Sequence, residues 1–550
     1  MISTSTAATL PFALDKGEYT QGLIYSLTQK SVQTVFARNP ELARIMLGGT
    51  IIRDTPNGPA IFSRGFDARD GTNDLYRISP ATNRVERIAK GQNVVGYVVD
   101  GTGDPVARAT YFSDSGNWSI EVKRGGGWPR VWSTTAMLDQ PSLIGFGRSD
   151  HSVIIQAKLE GDDEPKYREL SLDTGHWIDL GLESQPNSPI YHPVTKLLIG
   201  WVRDGDEGPI YDISDEAVAR TWRAVTTAFK GKQPALQSWA ENMRSLIVET
   251  DGDGDSGTYS LVDLDRGMAE IIGQSYPNIS ASQVGEVRRI SYEAADGMKI
   301  PGYLTLPPGV VDPHDLPLVV LPHGGPAARD TFGFDWWAQA LASQGYAVLQ
   351  PNFRGSDGLG EAHLVAGYGQ WGRKMQTDLS DGVRWLASQG IIDPKRVCIV
   401  GASYGGYAAM AGPTLDPGIY RCAVAVAGVS DLNTMISWSG GGSQGREAPI
   451  VRYWMRFMGA ERFGDPALNA LSPALIADRA DAPILLLHGR DDTVVPYDQS
   501  LRFYNALRRA GKPVELVALD REDHWLSSPA TRQKMLEETV RFLKTHNPVT

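Results

Sequence analysis

The chain of 550 residues contains only two cysteines, Cys398 and Cys422, and each lies in a short apolar run. Buried reduced thiols are therefore the expected state, with a disulfide between them as the alternative. No stretch approaches the roughly 18 apolar residues of a membrane span. The N-terminus lacks the basic start and apolar centre of a signal peptide. We therefore expect a cytoplasmic protein with no membrane partner, unless a leader has been removed.

A long basic run is also missing, and the net charge of -11 is spread along the chain. Nucleic acid is therefore not an expected partner. The content of 41% hydrophobic and 21% charged residues is that of an ordinary globular protein. Because 550 residues exceed what one core holds, two or three domains are predicted.

Helical periodicity is scarce up to about residue 282, where short β-type segments alternate with Gly, Asp, Asn and Pro. A strand, turn and second strand recur, each unit opened by an aromatic residue. These residues are Tyr25, Tyr76, Trp118, Tyr167, Tyr211 and Tyr259, at spacings of 51, 42, 49, 44 and 48 residues. Such periods are typical of four-stranded propeller blades. Residues 1–282 are therefore predicted to form a β-propeller, with an irregular β-sandwich as the alternative.

From residue 283 to 550, short apolar runs alternate with helical patterns. The runs include "LPLVVLPHGG", "YAVLQPNF", "RVCIVGAS", "CAVAVAG", "PILLLHG" and "VELVALD". Between two of them, Leu379, Val383 and Leu386 share one helical face. This alternation predicts a mostly parallel sheet with helices on both faces. Functional groups are then expected at the carboxyl ends of the strands.

Ser403 stands at such a strand end, in "VGASYGG". A glycine two positions away on each side matches the G-x-S-x-G pattern, which places a nucleophilic serine on a sharp turn between strand and helix. The alternative is a serine that only caps the following helix.

A serine hydroxyl needs a base, and His524 follows the last predicted strand. The preceding strand ends at "LLLHGRDD", which offers Asp491 and Asp492 to orient the imidazole. The order serine, aspartate, histidine is that of α/β-hydrolases. The pattern therefore predicts a catalytic triad at three strand ends.

Acyl transfer also requires donors for an oxyanion. The amide of Tyr404, directly after the serine, is one candidate. The glycine pair in "VVLPHGGP" supplies the other, for which we assign Gly325, with Gly324 as the less favoured donor. The alternative for this pair is a tight turn alone.

The motifs "HGGP", "LQPNFRGSDGLG", "GASYGGYAA", "HGRDDTVVP" and "DHWL" resemble the prolyl oligopeptidase family of serine peptidases. The "HGGP" form is closest to its acylaminoacyl-peptidase and dipeptidyl-peptidase-like branch. The resemblance implies an α/β-hydrolase domain after an N-terminal propeller of usually seven blades, so we expect six to seven. It also implies Asp492 as the triad carboxylate, with Asp491 as the alternate. A primary specificity pocket is implied near Met435 and Trp438, for which core packing is the alternative.

The expected function is hydrolysis of peptide or amide bonds through an acyl-enzyme on Ser403. The resemblance places the propeller over the catalytic rim, which would limit substrates to short or compact peptides. No metal and no cofactor are expected, and the oligomeric state is not predicted. A lasso-peptide isopeptidase of the same family, a carboxylesterase and an inactive propeller binding module are the alternatives.

Two further features favour structural roles. The segment "DGDGDSGTYSLV" from Asp251 resembles a calcium loop, but Ser256 and Val262 replace the required glycine and glutamate. An acidic hairpin turn is therefore expected. Arg354 in "NFRGS" is predicted to form an ion pair, with substrate contact as the alternative.

Overall fold

The computed structural model describes residues 9–549, apart from 17–18, 27–28, 43–46, 163, 183–184, 206–207 and 442–444. The chain divides into two compact units. One comprises Met1–Arg223 with Ala240–Met243, and the other comprises Ala224–Trp239 with Arg244–Thr550.

Up to residue 274, the described residues form six small sheets, each an antiparallel meander of consecutive strands. Their strands, sheet by sheet, are β1 Thr9–Lys16, β2 Tyr19–Ser26 and β3 Ser31–Thr34; β4 Leu47–Thr55, β5 Gly58–Asp67, β6 Thr72–Ile78 and β7 Val85–Ala89; β8 Val94–Val99, β9 Pro105–Phe112, β10 Asn117–Val122 and β11 Arg130–Thr135; β12 Ser142–Phe146, β13 Ser152–Ala157, β14 Lys166–Ser171 and β15 Trp177–Ile178; β16 Ser188–Tyr191, β17 Leu198–Gly205 and β18 Gly208–Ile213; β19 Gln233–Trp239, β20 Ser245–Gly252, β21 Asp255–Asp263 and β22 Met268–Gln274.

The recurring aromatic residues occupy similar places in these sheets. Five lie in the last-but-one strand, and Tyr211 lies in β18, the last strand of its sheet. The predicted second strand of that unit is wrong, because helix α1 (Glu216–Ala228) follows instead. The Asp215 side chain caps this helix by accepting from the amide of Ala217 at 2.9 Å, and Trp222 packs against Tyr211.

A single sheet of eight strands organises the C-terminal region. Its strands are β23 Val287–Glu293, β24 Lys299–Thr305, β25 Leu316–Val320, β26 Ala347–Pro351, β27 Ile392–Ala402, β28 Cys422–Val426, β29 Ile484–Gly489 and β30 Val514–Leu519. The order is β23-β24-β26-β25-β27-β28-β29-β30. Strand β24 pairs antiparallel with β23 and β26, and all other pairs are parallel. The predicted mostly parallel sheet is confirmed.

Helices cover both faces of this sheet. They are α2 Trp336–Ala342, α3 Glu361–Val365, α4 Lys374–Ser388, α5 Tyr404–Leu415, α6 Leu432–Ser439, α7 Pro449–Met458, α8 Asp498–Arg509 and α9 Pro529–His546. Short 3-10 turns lie at Ala281–Gln283, Gly445–Glu447, Pro466–Leu471, Pro473–Leu475 and Ala477–Arg479. Alternate residues of β25 face opposite cores, since Leu318 and Val320 pack with α4, α5 and α8 while Val319 packs with α2 and α9. Among the described helices, none is both long and apolar enough to cross a membrane.

The two cysteines are joined by a disulfide, so the expectation of reduced thiols is wrong. Cys398 on β27 and Cys422 on β28 are direct register partners on adjacent parallel strands, with Cα atoms 4.8 Å apart. That separation lies within the usual range of about 4.4 to 6.8 Å for a disulfide. Each apolar run by itself does not reveal this pairing, because the register between the two strands determines it.

Candidate active site

Ser403 lies between the end of β27 and the start of α5, with φ 57° and ψ -117°. A non-glycine residue in this conformation is strained, as expected at a nucleophile elbow. The flanking glycines are required by close contacts. A Cβ on Gly405 would lie 2.1 Å from the Pro322 carbonyl oxygen, and one on Gly401 would lie 2.5 Å from the Gly405 oxygen. Any side chain at either position would push the elbow out of place.

The structure brings Asp492 and His524 together on neighbouring strand ends. His524 Nδ1 lies 2.8 Å from Asp492 Oδ2. Because a carboxylate only accepts, Nδ1 carries the proton and Nε2 is left to exchange protons with a substrate. The His524 side chain is only 5% exposed, so the pair is held out of bulk water. Asp491, the alternate, is an exposed residue and donates its backbone amide to the Glu522 carbonyl.

The Asp492 carboxylate is held by several donors at once. Oδ1 accepts from the amides of Val494 at 3.0 Å and Val495 at 2.8 Å. Burial alone would raise the pKa of Asp492, but hydrogen bonds and charge from His488 and His524 outweigh it and lower the pKa below its ordinary value. Asp492 therefore stays ionised at neutral pH, as a group that orients an imidazolium must.

His488 is a neighbour of this pair to which the sequence motifs assign no role. Its Nε2 donates to the Val495 carbonyl at 2.8 Å and lies 3.2 Å from Asp492 Oδ2. Its Nδ1 is 2.7 Å from the Ser500 hydroxyl. The side chain is fully buried. His488 thus fixes the turn that carries Asp492, and the signal for it was the histidine at the end of a buried strand.

The glycine pair of the predicted oxyanion site adjoins the serine. A Cβ on Gly324 would lie 3.4 Å from Ser403 Cβ and 4.0 Å from its Oγ. Gly325 has φ 119°, and a Cβ there would lie 2.9 Å from the Ala327 nitrogen. Tyr404 is the first residue of α5, so its amide has no partner within the helix.

His323 holds the peptide between these two glycines. Its Nδ1 donates to the Gly324 carbonyl at 2.7 Å, and its Nε2 lies 2.9 Å from the Ser356 hydroxyl. The ring stacks on Phe353 with centroids 4.3 Å apart. Burial lowers the pKa of His323 to about 4, so the imidazole is neutral at physiological pH. Since the amide of Gly325 points opposite to the Gly324 carbonyl in a trans peptide, His323 fixes the direction of that amide.

The predicted pocket residues differ in their surroundings. Met435 is 1% exposed within the core on the α4 side of the sheet, which supports core packing. Trp438 is 50% exposed, and its Nε1 lies 3.4 Å from the carbonyl of Thr493, next to Asp492. Of the two, Trp438 is the one available to a substrate.

Arg354 and the acidic hairpin have the structural partners expected of them. The buried Arg354 guanidinium pairs with Asp378 at 2.7 Å and with Asp296 at 2.9 Å. Asp251 accepts from the amide of Phe334 at 3.2 Å, and Asp255 pairs with Lys232 at 2.7 Å. These carboxylates therefore hold neighbouring segments of the second unit together.

One cluster of carboxylates lies outside the strand-end rim. Asp67, Asp70 and Asp74 lie close enough to share an ion. However, Arg87 Nη1 is within 3.1 to 3.7 Å of an oxygen of each of the three. This guanidinium supplies the compensating charge, so the cluster is explained as an ion-pair network.

Comparisons with known proteins give the family of the chain. Residues 332–548 match the prolyl oligopeptidase family. The chain is 31% identical over 518 residues to dipeptidyl aminopeptidase BIII of Pseudoxanthomonas mexicana, covering 89% of this chain and 72% of that protein. It is 28% identical over 251 residues to the acylamino-acid-releasing enzyme of Mus musculus, covering 44% of this chain and 33% of that protein.

Solved structures show the same fold at low identity. A puromycin hydrolase superposes with a TM-score of 0.71 at 17% identity, covering 99% of this chain and 94% of that one. The acylaminoacyl peptidase of Pyrococcus horikoshii gives a TM-score of 0.64 at 17% identity, covering 98% and 94%. The predicted fold class, an N-terminal β-propeller followed by an α/β-hydrolase domain, is confirmed. The blade number and the boundary at residues 282 and 283 stay predictions. By its sequence relatives and its fold, the chain belongs to the prolyl oligopeptidase family and is a serine hydrolase.

Proposed function

We propose that this protein hydrolyses peptide bonds of short peptides through an acyl-enzyme on Ser403. The observation that carries the proposal is the 2.8 Å contact between His524 Nδ1 and the buried Asp492 carboxylate, on the same strand-end rim as the strained elbow. An imidazole held in this tautomer can take the proton of a serine hydroxyl at Nε2.

The reaction proceeds in two halves. Ser403 Oγ attacks the scissile carbonyl while His524 takes its proton, and the amides of Tyr404 and Gly325 stabilise the oxyanion. His524 then gives that proton to the leaving amine as the C–N bond breaks. Water, deprotonated by His524, attacks the acyl-enzyme and releases the second product.

Two buried features prepare the site before substrate arrives. Asp492 is ionised and fixed by backbone amides, so it is ready to stabilise an imidazolium. The neutral His323 ring holds the Gly324–Gly325 peptide at the other side of Ser403. Fixed dipoles of this kind need no reorganisation during the reaction, which is the main source of electrostatic catalysis.

The names of the relatives, dipeptidyl aminopeptidase and acylamino-acid-releasing enzyme, support cleavage near the amino end of peptides. A digest of a peptide library, read by mass spectrometry, tests this. We expect products that begin within a few residues of the original amino terminus, and none with Ser403→Ala. Cleavage distributed along the peptides would contradict the amino-end assignment, and no cleavage of any peptide would contradict the peptidase proposal.

A further inference from the structure

An exposed indole lies directly beside the proposed general base. Trp525 is 61% exposed, although the His524 side chain that precedes it is nearly buried. The indole meets the imidazole edge to face, with centroids 5.3 Å apart and planes at 90°. A large aromatic surface left uncovered in this position is available to a ligand.

The loop that presents this indole is held in place. The amide of Trp525 donates to Asp523 Oδ1 at 2.8 Å, and Arg532 Nη2 donates to the Leu526 carbonyl at 2.9 Å. Glu522, which is buried, accepts from the amide of Asp523. Because the backbone on both sides is fixed, the place of Trp525 beside His524 is set before a ligand binds.

The chemistry determines which part of a substrate lies here. His524 Nδ1 is bound to Asp492, so proton transfer to the leaving amine must occur from Nε2. That transfer requires the amine nitrogen within hydrogen-bond reach of the imidazole. The residue that follows the scissile bond therefore leaves on the side of the His524 loop, where Trp525 is the next residue.

We propose that Trp525 is a specificity residue that binds the side chain following the scissile bond and favours apolar and aromatic side chains there. The inference rests on the proposed function, because it needs an acyl-enzyme on Ser403. An apolar or aromatic side chain can cover the open indole face, whereas glycine offers no side chain to cover it.

Trp438 provides the contrast. It is also half exposed, but it contacts the carbonyl of Thr493 beside Asp492 rather than the imidazole. The predicted specificity pocket assigns it to the acyl part of the substrate. The two indoles are therefore expected to contact different parts of the substrate, Trp438 the acyl part and Trp525 the leaving part.

Partition of the acyl-enzyme between water and added amines tests the proposal. The acyl-enzyme is formed from whichever of a set of free and N-acetylated amino-acid and dipeptide ethyl esters is cleaved fastest. Phenylalaninamide or glycinamide is then added as the acceptor. By microscopic reversibility, the acceptor occupies the site of the leaving residue. In the wild type we expect phenylalaninamide to capture the acyl group about tenfold better than glycinamide, as an aromatic contact permits.

In Trp525→Ala this preference should fall to about twofold or less, while Trp525→Phe should keep most of it. The preference is a ratio of two capture rates on the same acyl-enzyme, so an effect of either substitution on the His524 ring, which the indole contacts, cancels from it. Trp438→Ala, the matched control, should keep the acceptor preference. An unchanged preference in Trp525→Ala, or an equal loss of preference in Trp438→Ala, would overturn the proposal. Failure of the wild type to hydrolyse any ester would instead overturn the proposed function.

Discussion

Asp491 and Asp492 are adjacent in sequence but differ in their surroundings. Only Asp492 is buried, and it alone reaches His524, while Asp491 directs its side chain to solvent. The family resemblance implies Asp492 as the triad carboxylate. In the structure, the amides of Val494 and Val495 donate to its Oδ1, so the turn closes around this carboxylate. A one-residue shift in this turn would place the wrong carboxylate inside.

Substitution of the two neighbours separates their roles. Asp492→Asn should lower kcat by about 10⁴, because an amide favours the wrong imidazole tautomer. Asp491→Asn should change kcat by less than about twofold, as expected for an exposed side chain. Steady-state kinetics on one peptide substrate measures both. A larger loss with Asp491→Asn would reverse the assignment.

His323 should act on the rate of the chemical step through the Gly325 amide. His323→Ala frees the Gly324 carbonyl and should lower kcat by about 10- to 100-fold, less than complete loss of an oxyanion donor. KM should stay within about twofold, because this donor acts chiefly in the transition state. Ser356→Ala should have a smaller effect in the same direction. A rise in KM with unchanged kcat would show that His323 acts on substrate binding instead.

At the scale of elements, the sequence was most informative where periodicity and burial agree. The six quoted runs of apolar residues became β25 to β30, and Leu379, Val383 and Leu386 all lie buried on α4 as expected. Helix α1 was missed because the aromatic repeat predicts a second strand after Tyr211. The Asp215 side chain instead caps a helix at this point. The disulfide was missed because strand register is a property of the folded sheet.

The loop after β25 contains Asp330, whose carboxyl group lies in surroundings that disfavour its ionised form. Burial and nearby Asp335 raise the pKa of Asp330 to about 8, and its Oδ2 has no hydrogen-bond partner among the described residues. In the unfolded chain this group has its ordinary pKa of 3.8. Between these two values the unfolded state has released the proton and the folded state has kept it. Stability should therefore fall as pH rises through that window.

Asp330→Asn removes this ionisation while keeping the shape of the side chain. We expect the variant to gain stability over the wild type as pH increases, with a difference of a few degrees in Tm at pH 9 that is much smaller at pH 5. Thermal unfolding at the two pH values measures it. Asp335→Ala, the control, removes the side chain that caps α2 and should lose stability already at pH 5. A gain for Asp330→Asn that is greater at pH 5 would contradict the raised pKa.

At the scale of the whole molecule, the predicted boundary at residue 283 rests on the change from all-β to alternating β and α patterns in the sequence. It does not locate the change of packing, because the sixth sheet, β19–β22, belongs to the same compact unit as the hydrolase. In its β20–β21 hairpin, the Asp251 carboxylate accepts from the Phe334 amide and the Asp253 carboxylate accepts from the Val287 amide. Such tertiary contacts leave no periodic pattern in a sequence.

This grouping predicts where the chain can be cut. A protein of residues 224–550 should unfold in one cooperative transition, whereas residues 283–550 should be less stable or insoluble. The removed segment includes Tyr276, which packs against Phe334, and Asp251, which accepts from the Phe334 amide. Calorimetry and solubility of the two proteins compare them. Equal stability of the shorter protein would show that the sixth sheet contributes nothing to the hydrolase.

The central claim, an acyl-enzyme formed on Ser403 by the Asp492–His524 pair, is tested most directly by labelling with a fluorophosphonate and mapping the adduct by mass spectrometry. The account predicts a single adduct on Ser403 in the wild type and in Asp491→Asn, with labelling strongly slowed in His524→Ala. An adduct on another serine, or labelling of Ser403 at an equal rate without His524, would contradict it.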